Sequence, residues 1–525
     1  METSYHFKPA TEPWEFEAIE RLNHETFARE IPQHAPRPDG RIRDRFHDEN
    51  QYLVALQNQV LVGMLAVRDH RPFSLDEKVP NLNQHLPPHR SVCEIRLLAV
   101  KPEHRRPGVF HGLMALTARE CLRQGHDLAV ISGTLRQLKL YRHMGFEAFG
   151  PLVGTNQAPY QPMYLRTDTF LSRYADLAEP LNFLPGPVPI SAAVRKALTQ
   201  PARYHRGPEF RQRFETTRVQ LKTLAGAQHV QVLLGSGTLA NEAVAAQLSL
   251  LDGPGLVISN GEFGERLLEQ ARRWNLNHRA LQTTWGEPLH LDVAATAMNQ
   301  APQVRWVWAV HGETSTGILN SLEALKSLCR AQGADLALDC VSTLGALPLS
   351  LDGVRLAAAT SGKALAAYPG LAIVFHDRSL APSERLPRYL DLGTWDQCEG
   401  TPFTHSSNLV GALSEALHRF EQHKPFEALA RQAQELRQYC LSLGMPVLAP
   451  AEHAHPCAIT LALPPSISAQ ALGEAALARN IQLGWQSGYL RARNWIQICL
   501  MVPHPEEDMA ALQRVLKEVW KELGH

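Results

Sequence analysis

The sequence lacks an excess of charge of either sign, since 52 lysine and arginine residues balance 52 aspartate and glutamate residues. A neutral chain has no overall electrostatic attraction to nucleic acid or to an acidic membrane. Its eight cysteines form no Cys-x-x-Cys pair, which is typical of reduced thiols in the cytosol rather than of a zinc site or a disulfide framework. No apolar run approaches the roughly 18 residues of a membrane-spanning helix. We therefore expect a cytoplasmic protein that binds neither nucleic acid nor membrane.

The sequence also lacks a basic head followed by an apolar stretch in its first residues, METSYHFKPATEPWEF, so we expect no secretory signal. Its 24 histidines, among them His34, His70 and His311, show no spacing typical of metal ligands, and we predict no metal site.

At 525 residues the chain is too long for one ordinary domain. The segment RTDTFLSRYADLAEP, residues 166–180, separates two parts of different texture. We predict a domain at 1–170, a linker at 171–180, a large domain at 181–424 and a small lobe at 425–525.

The first part alternates short apolar runs with one helical stretch. Strands are predicted at YLVAL (52–56), VLVGMLAVR (60–68) and EIRLLAV (94–100), and a helix at FHGLMALTARECLRQG (110–125). This alternation predicts a mixed α+β domain.

The second part has a more regular alternation of strands and helices. Buried strands are predicted in VQVLLGSGT, GLVISN, VRWVWAVHGE, ADLALDCVS and LAIVF. Short apolar strands separated by helices predict an α/β domain with a doubly wound, mostly parallel sheet, which a smaller α+β lobe follows.

Two motifs of the first part carry chemistry. In HRRPGVF an Arg-x-x-Gly turn opens a helix directly after a strand, and YRHMGF follows about thirty residues later. Together they resemble the GNAT acyltransferases. The resemblance implies that Arg105, Arg106, Gly108 and Val109 bind the pyrophosphate of coenzyme A, and that Tyr141 protonates the departing thiolate.

Other residues of this part leave alternatives open. Glu94, near the start of the central strand, is either a general base for the incoming amine or a structural partner of Arg96. The two arginines of the turn could also form a solvated basic surface, and Tyr141 could be a core-edge aromatic. Phe110 stands where the family usually has Gly or Ala. The donor is therefore acetyl-CoA, a longer acyl thioester or an acyl carrier protein thioester.

The second part contains a lysine in unusual surroundings. LAAATSGKALAAYPGLAIVF has one charged residue, Lys363, and a desolvated amine is usually paired or reactive. Upstream, Asp339 ends an apolar strand, at the edge where doubly wound sheets bind ligands. Further upstream, GSGT joins a strand to a helix, as a phosphate site requires. A lysine, an aspartate and a phosphate loop are the parts expected of a pyridoxal phosphate (PLP) enzyme.

Six elements in order, LNFLPGPVPIS, GSGTLANEA, NGEFGERL, HGETSTG, LALDCVS and TSGKALAAYPGLA, resemble the class V aminotransferases of PLP fold type I. The relatives meant are the alanine–glyoxylate, serine–pyruvate and 2-aminoethylphosphonate transaminases. The resemblance implies that Lys363 forms the Schiff base and moves the substrate α-proton, and that Asp339 holds the pyridine nitrogen. It also implies that three residues bind the phosphate: Ser236, Gly237 and Thr238.

The same resemblance gives three further residues a role. Phe263 falls where the family stacks an aromatic on the cofactor ring, although it could also be core filler. Ser315 falls near the phenolic oxygen of the cofactor. Family members are dimers that lend a loop to the neighbouring site, and TPFTHSSN (401–408), with Thr401 binding the cofactor, is the counterpart. We therefore expect a homodimer.

Two departures from the family affect the substrate. Gly362 precedes the lysine, where many relatives have Gln, Asn or His. Gln497 stands in place of the arginine that binds the substrate carboxylate in relatives, so a charged fork has become a neutral amide. Arg491 or Arg493 could substitute for it; otherwise the substrate lacks an α-carboxylate or binds it differently.

The resulting hypothesis is a bifunctional enzyme. Its second part exchanges an amine between an amino donor and a keto acid, and its first part acylates a primary amine from an acyl thioester. One alternative keeps PLP but makes the second part a lyase, desulfurase or racemase. Another makes the GNAT-like domain a sensor of acyl-CoA without turnover.

Overall fold

The computed structural model describes residues 5–31, 33–105, 107–155, 158–173, 180–300 and 303–524. The chain forms two compact units, Met1–Pro180 and Leu181–His525. Arg106, one of the predicted pyrophosphate ligands, lies outside the described residues. A search of the described helices finds none with the length and apolar character needed to cross a membrane.

The first unit is a mixed α/β fold. Its strands are β1 (His6–Pro9), β2 (Gln51–Gln57), β3 (Val60–Arg68), β4 (Val92–Val100), β5 (Leu128–Thr134), β6 (Glu147–Ala148), β7 (Val153–Thr155) and β8 (Ala158–Arg166). Its helices are α1 (Pro13–His24), α2 (Pro107–Arg123), α3 (Leu138–Met144) and α4 (Thr167–Arg173), with a π-helical turn at Glu25–Glu30 and 3₁₀ turns at Leu82–His85, Pro102–His104 and Leu135–Gln137.

These strands form one sheet in the order β1-β2-β3-β4-β5-β8-β6, with β7 beside β8. The neighbours are antiparallel except β4 and β5, which pair in parallel from Val92 to Glu94. Alternate residues of β2 enter cores on opposite faces: Leu53 packs with α2 and Val54 packs with α1. A strand buried on both faces reads as a continuous apolar run, which is why YLVAL is readable from the sequence.

The second unit contains the remaining elements. Its strands are β9 (Leu181–Asn182), β10 (His229–Gly235), β11 (Gly255–Ser259), β12 (His278–Gln282), β13 (Trp306–Val310), β14 (Gly312–Glu313), β15 (Ile318–Leu319), β16 (Asp335–Asp339), β17 (Leu356–Thr360), β18 (Gly370–His376), β19 (Ala458–Ala462), β20 (Ile481–Gln482) and β21 (Trp495–Cys499). Its helices are α5 (Ala192–Leu198), α6 (Pro208–Ala225), α7 (Gly237–Leu248), α8 (Glu262–Arg273), α9 (Leu291–Asn299), α10 (Leu322–Gln332), α11 (Leu392–Asp396), α12 (Ser407–His423), α13 (Phe426–Ser442), α14 (Ala469–Leu477), α15 (Gly488–Arg493) and α16 (Glu506–Glu522), and a 3₁₀ turn covers Ala451–His453.

The large sheet of this unit has the order β10-β18-β17-β16-β13-β11-β12. Only β18 runs against its neighbours, β10 and β17, so the remaining strands end at one common edge. Both faces are covered, since α6 and α12 pack on one core and α7 and α8 on the other. The predicted doubly wound, mostly parallel sheet is confirmed, and its ligand edge carries the ends of β10, β16 and β17.

The small lobe packs helices α13, α14 and α16 on the antiparallel pair β19–β21. It also includes Leu181 and Asn182, because β9 pairs with β20 and Phe183 is buried in the lobe's core. The predicted large domain, 181–424, begins with these residues. A two-residue strand has no periodicity that could reveal its distant partner.

Candidate active sites

A cavity of about 370 Å³ lies at the ligand edge of the large sheet. It is formed where β10, β16 and β17 end and α7 begins. Six of the residues predicted to form the cofactor site line it: Ser236, Gly237, Thr238, Phe263, Asp339 and Lys363.

Asp339 is the last residue of β16, and its side chain is buried. Its Oδ2 accepts a 2.7 Å hydrogen bond from Asn241 Nδ2, and its Oδ1 accepts one of 2.8 Å from the backbone N–H of Val341. Burial raises the pKa of the Asp339 carboxyl, while the two donors lower it. The carboxylate is thus held in one orientation, and among the described residues no cation is in hydrogen-bonding contact with it.

Lys363 lies in the turn between β17 and β18, and its amine lines the same cavity as Asp339. Among the described residues, its Nζ forms no hydrogen bond and no ion pair. Burial lowers the pKa of this amine. Gly186 packs close to it: a Cβ there would lie 3.9 Å from Lys363 Cε. An unpaired amine of lowered pKa is suited to react with an aldehyde.

Ser236 is the N-cap of α7, and Gly237 and Thr238 begin the helix. All three line the cavity, which places the positive end of the helix there, as an anion site requires. A Cβ on Gly237 would lie 2.8 Å from Val341 Cγ2. The glycine is therefore required by close packing against the residue that also orients Asp339.

Phe263 lines the cavity from α8, and the Arg266 guanidinium lies 5.0 Å from its ring centroid. Arg266 also lines the cavity and donates a 3.0 Å hydrogen bond to Glu262. Asn241 and Arg266 lie inside the motifs GSGTLANEA and NGEFGERL, and neither was predicted to have a role. Their place at the site could have been found from the sequence, because each lies within one turn of a predicted cofactor ligand on the same helix.

Ser315 is fully buried and does not line this cavity. Its hydroxyl donates to Glu313 Oε1 at 2.5 Å and accepts the N–H of Glu262 at 3.0 Å. Glu313 also accepts the N–H of Gly264 at 3.0 Å. Burial raises the pKa of the Glu313 carboxyl to about 7. The pair anchors the start of α8, the helix that carries Phe263.

Gln497 is fully buried in β21 and does not line the cavity. Its amide nitrogen donates to Thr314 O and, at 3.2 Å, to Thr460 Oγ1, and its oxygen accepts a 2.9 Å bond from Tyr489 OH. The amide is therefore fully committed within the protein.

The two proposed substitutes lie elsewhere as well. Arg493 is exposed and stacks on Trp285, with its guanidinium carbon 3.5 Å from the ring centroid. Arg491 is exposed in the last turn of α15, and neither arginine lines the cavity. Thr401 is buried, donates 3.0 Å to Phe403 O, and also lies outside the cavity.

A steric constraint explains why residue 362 is a glycine. A Cβ at this position would lie 2.8 Å from Pro369 Cα. Pro369 lines the cavity beside Lys363. The turn that closes over residue 362 thus occupies the space that a larger side chain would need.

A second cavity, of about 590 Å³, lies in the first unit. It forms where β4 and β5, paired only as far as Glu94, separate. Glu94 and Tyr141, the two predicted catalytic residues of this unit, both line it.

Glu94 is buried and already has partners. Ser74 donates to it through its backbone N–H at 2.7 Å and its hydroxyl at 2.5 Å, and Arg96 Nε lies 3.5 Å away. The structural and the functional interpretations of Glu94 are thus compatible, because the carboxylate is both paired and at the cavity wall. Burial raises the pKa of the Tyr141 hydroxyl, so the phenol stays protonated, as a proton donor must be.

Arg105 lines this cavity, but its guanidinium has internal partners. Its Nη1 donates 2.7 Å to Glu30, and its Nε donates 2.9 Å to the carbonyl of Val100. Gly108 lies in the first turn of α2, and the side chain of Val109 is fully buried in the apolar core. Only the backbone of Val109 is therefore available at the start of the helix.

One part of the cavity wall is apolar. Ile95, Met114, Met144 and Phe146 line both this cavity and a smaller apolar one of about 50 Å³. Phe110, the predicted departure from the family pattern, lines the larger one. The two cavities thus share an apolar wall suited to a hydrocarbon chain.

A third cluster lies on β10, β18 and α11. His229 Nδ1 and His376 Nε2 lie 3.6 and 3.7 Å from Asp396 Oδ1, so the three atoms could surround a metal ion. Gln231 Nε2 already donates 2.9 Å to Asp396 and contacts His376 Nε2 at 3.1 Å. These hydrogen bonds give His376 and Asp396 a partner within the protein, and His229 takes no part in them.

The cavity at the sheet edge fits PLP. A buried carboxylate without a contacting cation matches a protonated ring nitrogen, an unpaired amine matches an aldehyde, and a helix N-terminus with Ser and Thr matches a phosphate. Both donors to Asp339 come from the protein, and Asp339 itself lines the cavity.

Two family models match different parts of the chain. Residues 18–166 match the model described as "N-acyl amino acid synthase FeeM", and residues 192–442 match "Aminotransferase class-V".

Individual proteins are similar to the second part. A "Soluble hydrogenase 42 kDa subunit" of Anabaena cylindrica is 31% identical over 369 residues, which are 65% of this chain and 93% of that protein. A 2-aminoethylphosphonate–pyruvate transaminase of Pseudomonas putida is 30% identical over 302 residues, 54% of this chain and 82% of that protein.

Solved structures of aminotransferases are also similar to the second part of the chain. An alanine–glyoxylate aminotransferase of Nostoc sp. superposes with a TM-score of 0.58 at 27% identity, covering 65% of this chain and 95% of that one. An aspartate aminotransferase of Thermus thermophilus superposes with a TM-score of 0.58 at 26% identity, covering 65% of this chain and 99% of that one.

Proposed function

The chain belongs to the class-V aminotransferase family and carries an N-acyl amino acid synthase-like domain ahead of it, and on this premise we propose a bifunctional enzyme with two reactions. The second unit transaminates an amino acid or small amine with a keto acid. The first unit transfers an acyl group from a thioester to a primary amine. The observation that carries the proposed transamination is the cavity of the second unit, where unpaired Lys363 and buried Asp339 meet the start of α7.

PLP, when bound, supplies an electron sink for the bonds at the substrate's amine-bearing carbon. Lys363 Nζ would hold PLP through its aldehyde group, and the freed amine would then take up the proton lost from the substrate's amine-bearing carbon. Asp339 keeps a proton on the ring nitrogen, with its carboxylate oriented by Asn241 and Val341. Ser236, Gly237 and Thr238 hold the phosphate at the positive end of α7.

In the first unit, the acceptor's amine nitrogen forms a bond to the thioester carbonyl carbon and the carbon–sulfur bond breaks. Glu94 takes the proton that the amine loses, and Tyr141 gives a proton to the departing thiolate. The apolar wall around Met114, Met144 and Phe146 supports an acyl group longer than acetyl. Its carrier is either coenzyme A or an acyl carrier protein.

The transaminase half is tested by mixing the full-length holoenzyme with single amino donors and following the visible absorbance of the cofactor. Conversion to the amine form by a donor, and its reversal by pyruvate or glyoxylate, is the expected result. Gln497 keeps a lyase, desulfurase or racemase as a second candidate, because relatives bind the substrate carboxylate with an arginine at this position. Release of ammonia or sulfide, or racemisation of the donor, without any amine form of the cofactor would favour that candidate and contradict ours.

The acyltransferase half is tested with acyl-CoA and acyl carrier protein donors of graded chain length and a panel of primary amines. We expect N-acylated product, and slower turnover in Tyr141→Phe, by about a hundredfold, with little change in amine KM. Thioester binding without any product would favour the sensor. The matched control is Tyr204→Phe, at an exposed position of the second unit, and it should behave as wild type.

We further propose that the chain forms a homodimer in which Thr401–Asn408 of one protomer completes the cofactor site of its partner. Sedimentation should give twice the 58.4 kDa of one chain. Thr401→Val should weaken PLP binding without changing that mass. A monomer with full transaminase activity would contradict this proposal.

A further inference from the structure

Three side chains of the second unit for which no role was predicted meet at the other end of β10 from the cofactor cavity. His229 is the first residue of β10 and His376 is the last residue of β18, and the two are register partners in the antiparallel pair. Asp396, the last residue of α11, lies beside them. The seven residues of β10 separate this cluster from the cofactor cavity by roughly 20 Å.

The hydrogen bonds of His376 leave its Nε2 unprotonated. Its Nδ1 lies 2.7 Å from the carbonyl oxygen of Arg378, which can only accept, so Nδ1 carries the proton. Its Nε2 accepts the amide N–H of Gln231 at 3.1 Å. A histidine whose Nδ1–H is held by a carbonyl oxygen presents a fixed lone pair at Nε2, which is the usual arrangement of a metal-binding histidine.

The carboxylate of Asp396 is also oriented by its neighbours. Its Oδ2 accepts hydrogen bonds of 2.7 Å from the Ser379 hydroxyl and 3.0 Å from the Leu380 N–H. Its Oδ1 faces the histidines and accepts a 2.9 Å bond from the same Gln231 nitrogen that contacts His376. Two acceptor atoms therefore converge on one donor group, whose place a cation could take.

His229 can supply a third ligand atom. Its Nδ1 lies 3.6 Å from Asp396 Oδ1, and His376 Nε2 lies 3.7 Å from the same oxygen. Ligand atoms that lie about 2.1 Å from a tetrahedral ion are about 3.4 Å apart, so both distances are suitable. The His229 ring stacks on that of His376, with centroids 4.9 Å apart. It is partly exposed, and within the described part of the chain no hydrogen bond fixes it, so it is free to turn Nδ1 toward an ion.

We propose that His229, His376 and Asp396 form a binding site for a divalent transition-metal ion, with Zn²⁺ as the best match. Two imidazoles and one carboxylate are a known set of zinc ligands, and the exposed side of His229 leaves a fourth position to water. The ion replaces the Gln231 N–H group as the shared partner of both acceptors. The three residues come from distant parts of the chain, so no ligand spacing predicted this site.

The position of the site indicates what the ion does. β10 is the edge strand of the large sheet, and the ion would join it to β18 and to α11. Because the cofactor cavity lies at the other end of β10, the ion stabilises the unit and takes no part in transamination.

Equilibrium dialysis of the chelator-treated, full-length holoenzyme against Zn²⁺, followed by measurement of the metal content, tests the site. We expect one ion per chain with a Kd of about 10 µM or tighter, and no displacement by about a hundredfold excess of Mg²⁺, which prefers oxygen ligands. Zn²⁺ should also raise the unfolding temperature of the second unit by about 2 °C or more.

Two matched variants identify the ligands. His229→Phe keeps an aromatic ring against His376 but removes the ligand nitrogen, and it should weaken Zn²⁺ binding about tenfold or more. His423→Phe, at an exposed histidine that ends α12, is the control and should bind Zn²⁺ as wild type does. No binding by wild type at about 100 µM Zn²⁺, or equal binding by wild type and His229→Phe, would overturn the proposal.

Discussion

Burial gives the two central residues of the transaminase cavity opposite pKa shifts. It lowers the pKa of the Lys363 amine and raises that of the Asp339 carboxyl, because a charged group in either place loses its hydration. The amine is thereby more often neutral and nucleophilic. A cationic ring beside Asp339 would stabilise the charged carboxylate in place of the hydration that burial removes.

Replacing Lys363 by Ala should remove the covalent attachment of PLP. Borohydride reduction followed by peptide mass spectrometry should label Lys363 in wild type and no lysine in the variant. Transamination should fall by about a thousandfold or more, since both the attachment point and the proton carrier are lost. Lys196→Ala, an exposed lysine on α5, is the control and should be unaffected; a label on another lysine would contradict the assignment.

The buried Glu313 predicts a pH dependence of stability. Its pKa rises from 4.5 to about 7 on folding, so the folded state holds the proton more tightly than the unfolded state. Its contribution to stability is therefore fully present below about pH 4.5 and is lost as the pH rises through about 7. Relative to Glu313→Gln, the wild-type apoprotein should lose on the order of 3 kcal/mol of unfolding free energy over this range.

Tryptophan fluorescence during urea unfolding measures this difference for Leu181–His525, the unit that contains Glu313. The chain has nine tryptophans, and all but Trp14 lie in Leu181–His525. A constant difference between wild type and Glu313→Gln from pH 4 to pH 8 would show that the carboxyl does not titrate in this way.

Single residues also mark the limit of sequence inference. Lys363 and Asp339 were readable because their motifs carry a fixed chemistry and their elements end at one sheet edge. The partners of Gln497 were not readable, because Thr314, Thr460 and Tyr489 meet it only in the folded lobe. The two proposed substitutes for the missing arginine were placed by sequence proximity alone, and Arg493 contacts Trp285 instead.

Among the elements, the start of α7 is constrained by the strand edge beside it. Gly237→Ala would bring a Cβ to 2.8 Å from Val341 Cγ2. We expect PLP affinity to fall about tenfold and the unit to lose about 1–3 kcal/mol of stability, because the helix start must move. Cofactor titration and urea unfolding measure the two effects.

A second substitution tests that explanation. Gly237→Ala combined with Val341→Ala should recover much of the loss, since the contact is removed while the Val341 N–H still binds Asp339. Gly488→Ala, with nothing within 4 Å of the added Cβ, is the matched control and should not change PLP binding. Failure of the double variant to recover would contradict a steric cause.

The elements that could be predicted were those with a strong periodic signal. The apolar runs that became β10, β11, β13, β16 and β18 were identified, because both faces of the sheet are buried and each strand is continuously apolar. The short strand β12 was missed, since HRALQ is only partly buried and has polar ends. The strand β17 was not distinguished from the turn that follows, because LAAAT continues into equally small residues.

At the scale of the whole molecule, the transaminase cavity is built from one unit. All residues of its wall, from Gly186 to Pro369, lie within Leu181–His525. We predict that this segment expressed alone binds PLP with the affinity of the full chain, as measured by cofactor titration. Binding by the full chain but not by the segment would show that the first unit is needed for the cofactor site.

The contact between positions 362 and 369 constrains how this active site can change during evolution. Because the backbone of the turn at Pro369 fills the space beside Gly362, a larger residue at position 362 requires that backbone to move. A lineage that regained a polar residue before the lysine would have to remodel the turn in the same step or earlier. Directed evolution toward new amines should therefore vary the length and sequence of this turn together with codon 362, since substitutions at 362 alone would meet the backbone of Pro369.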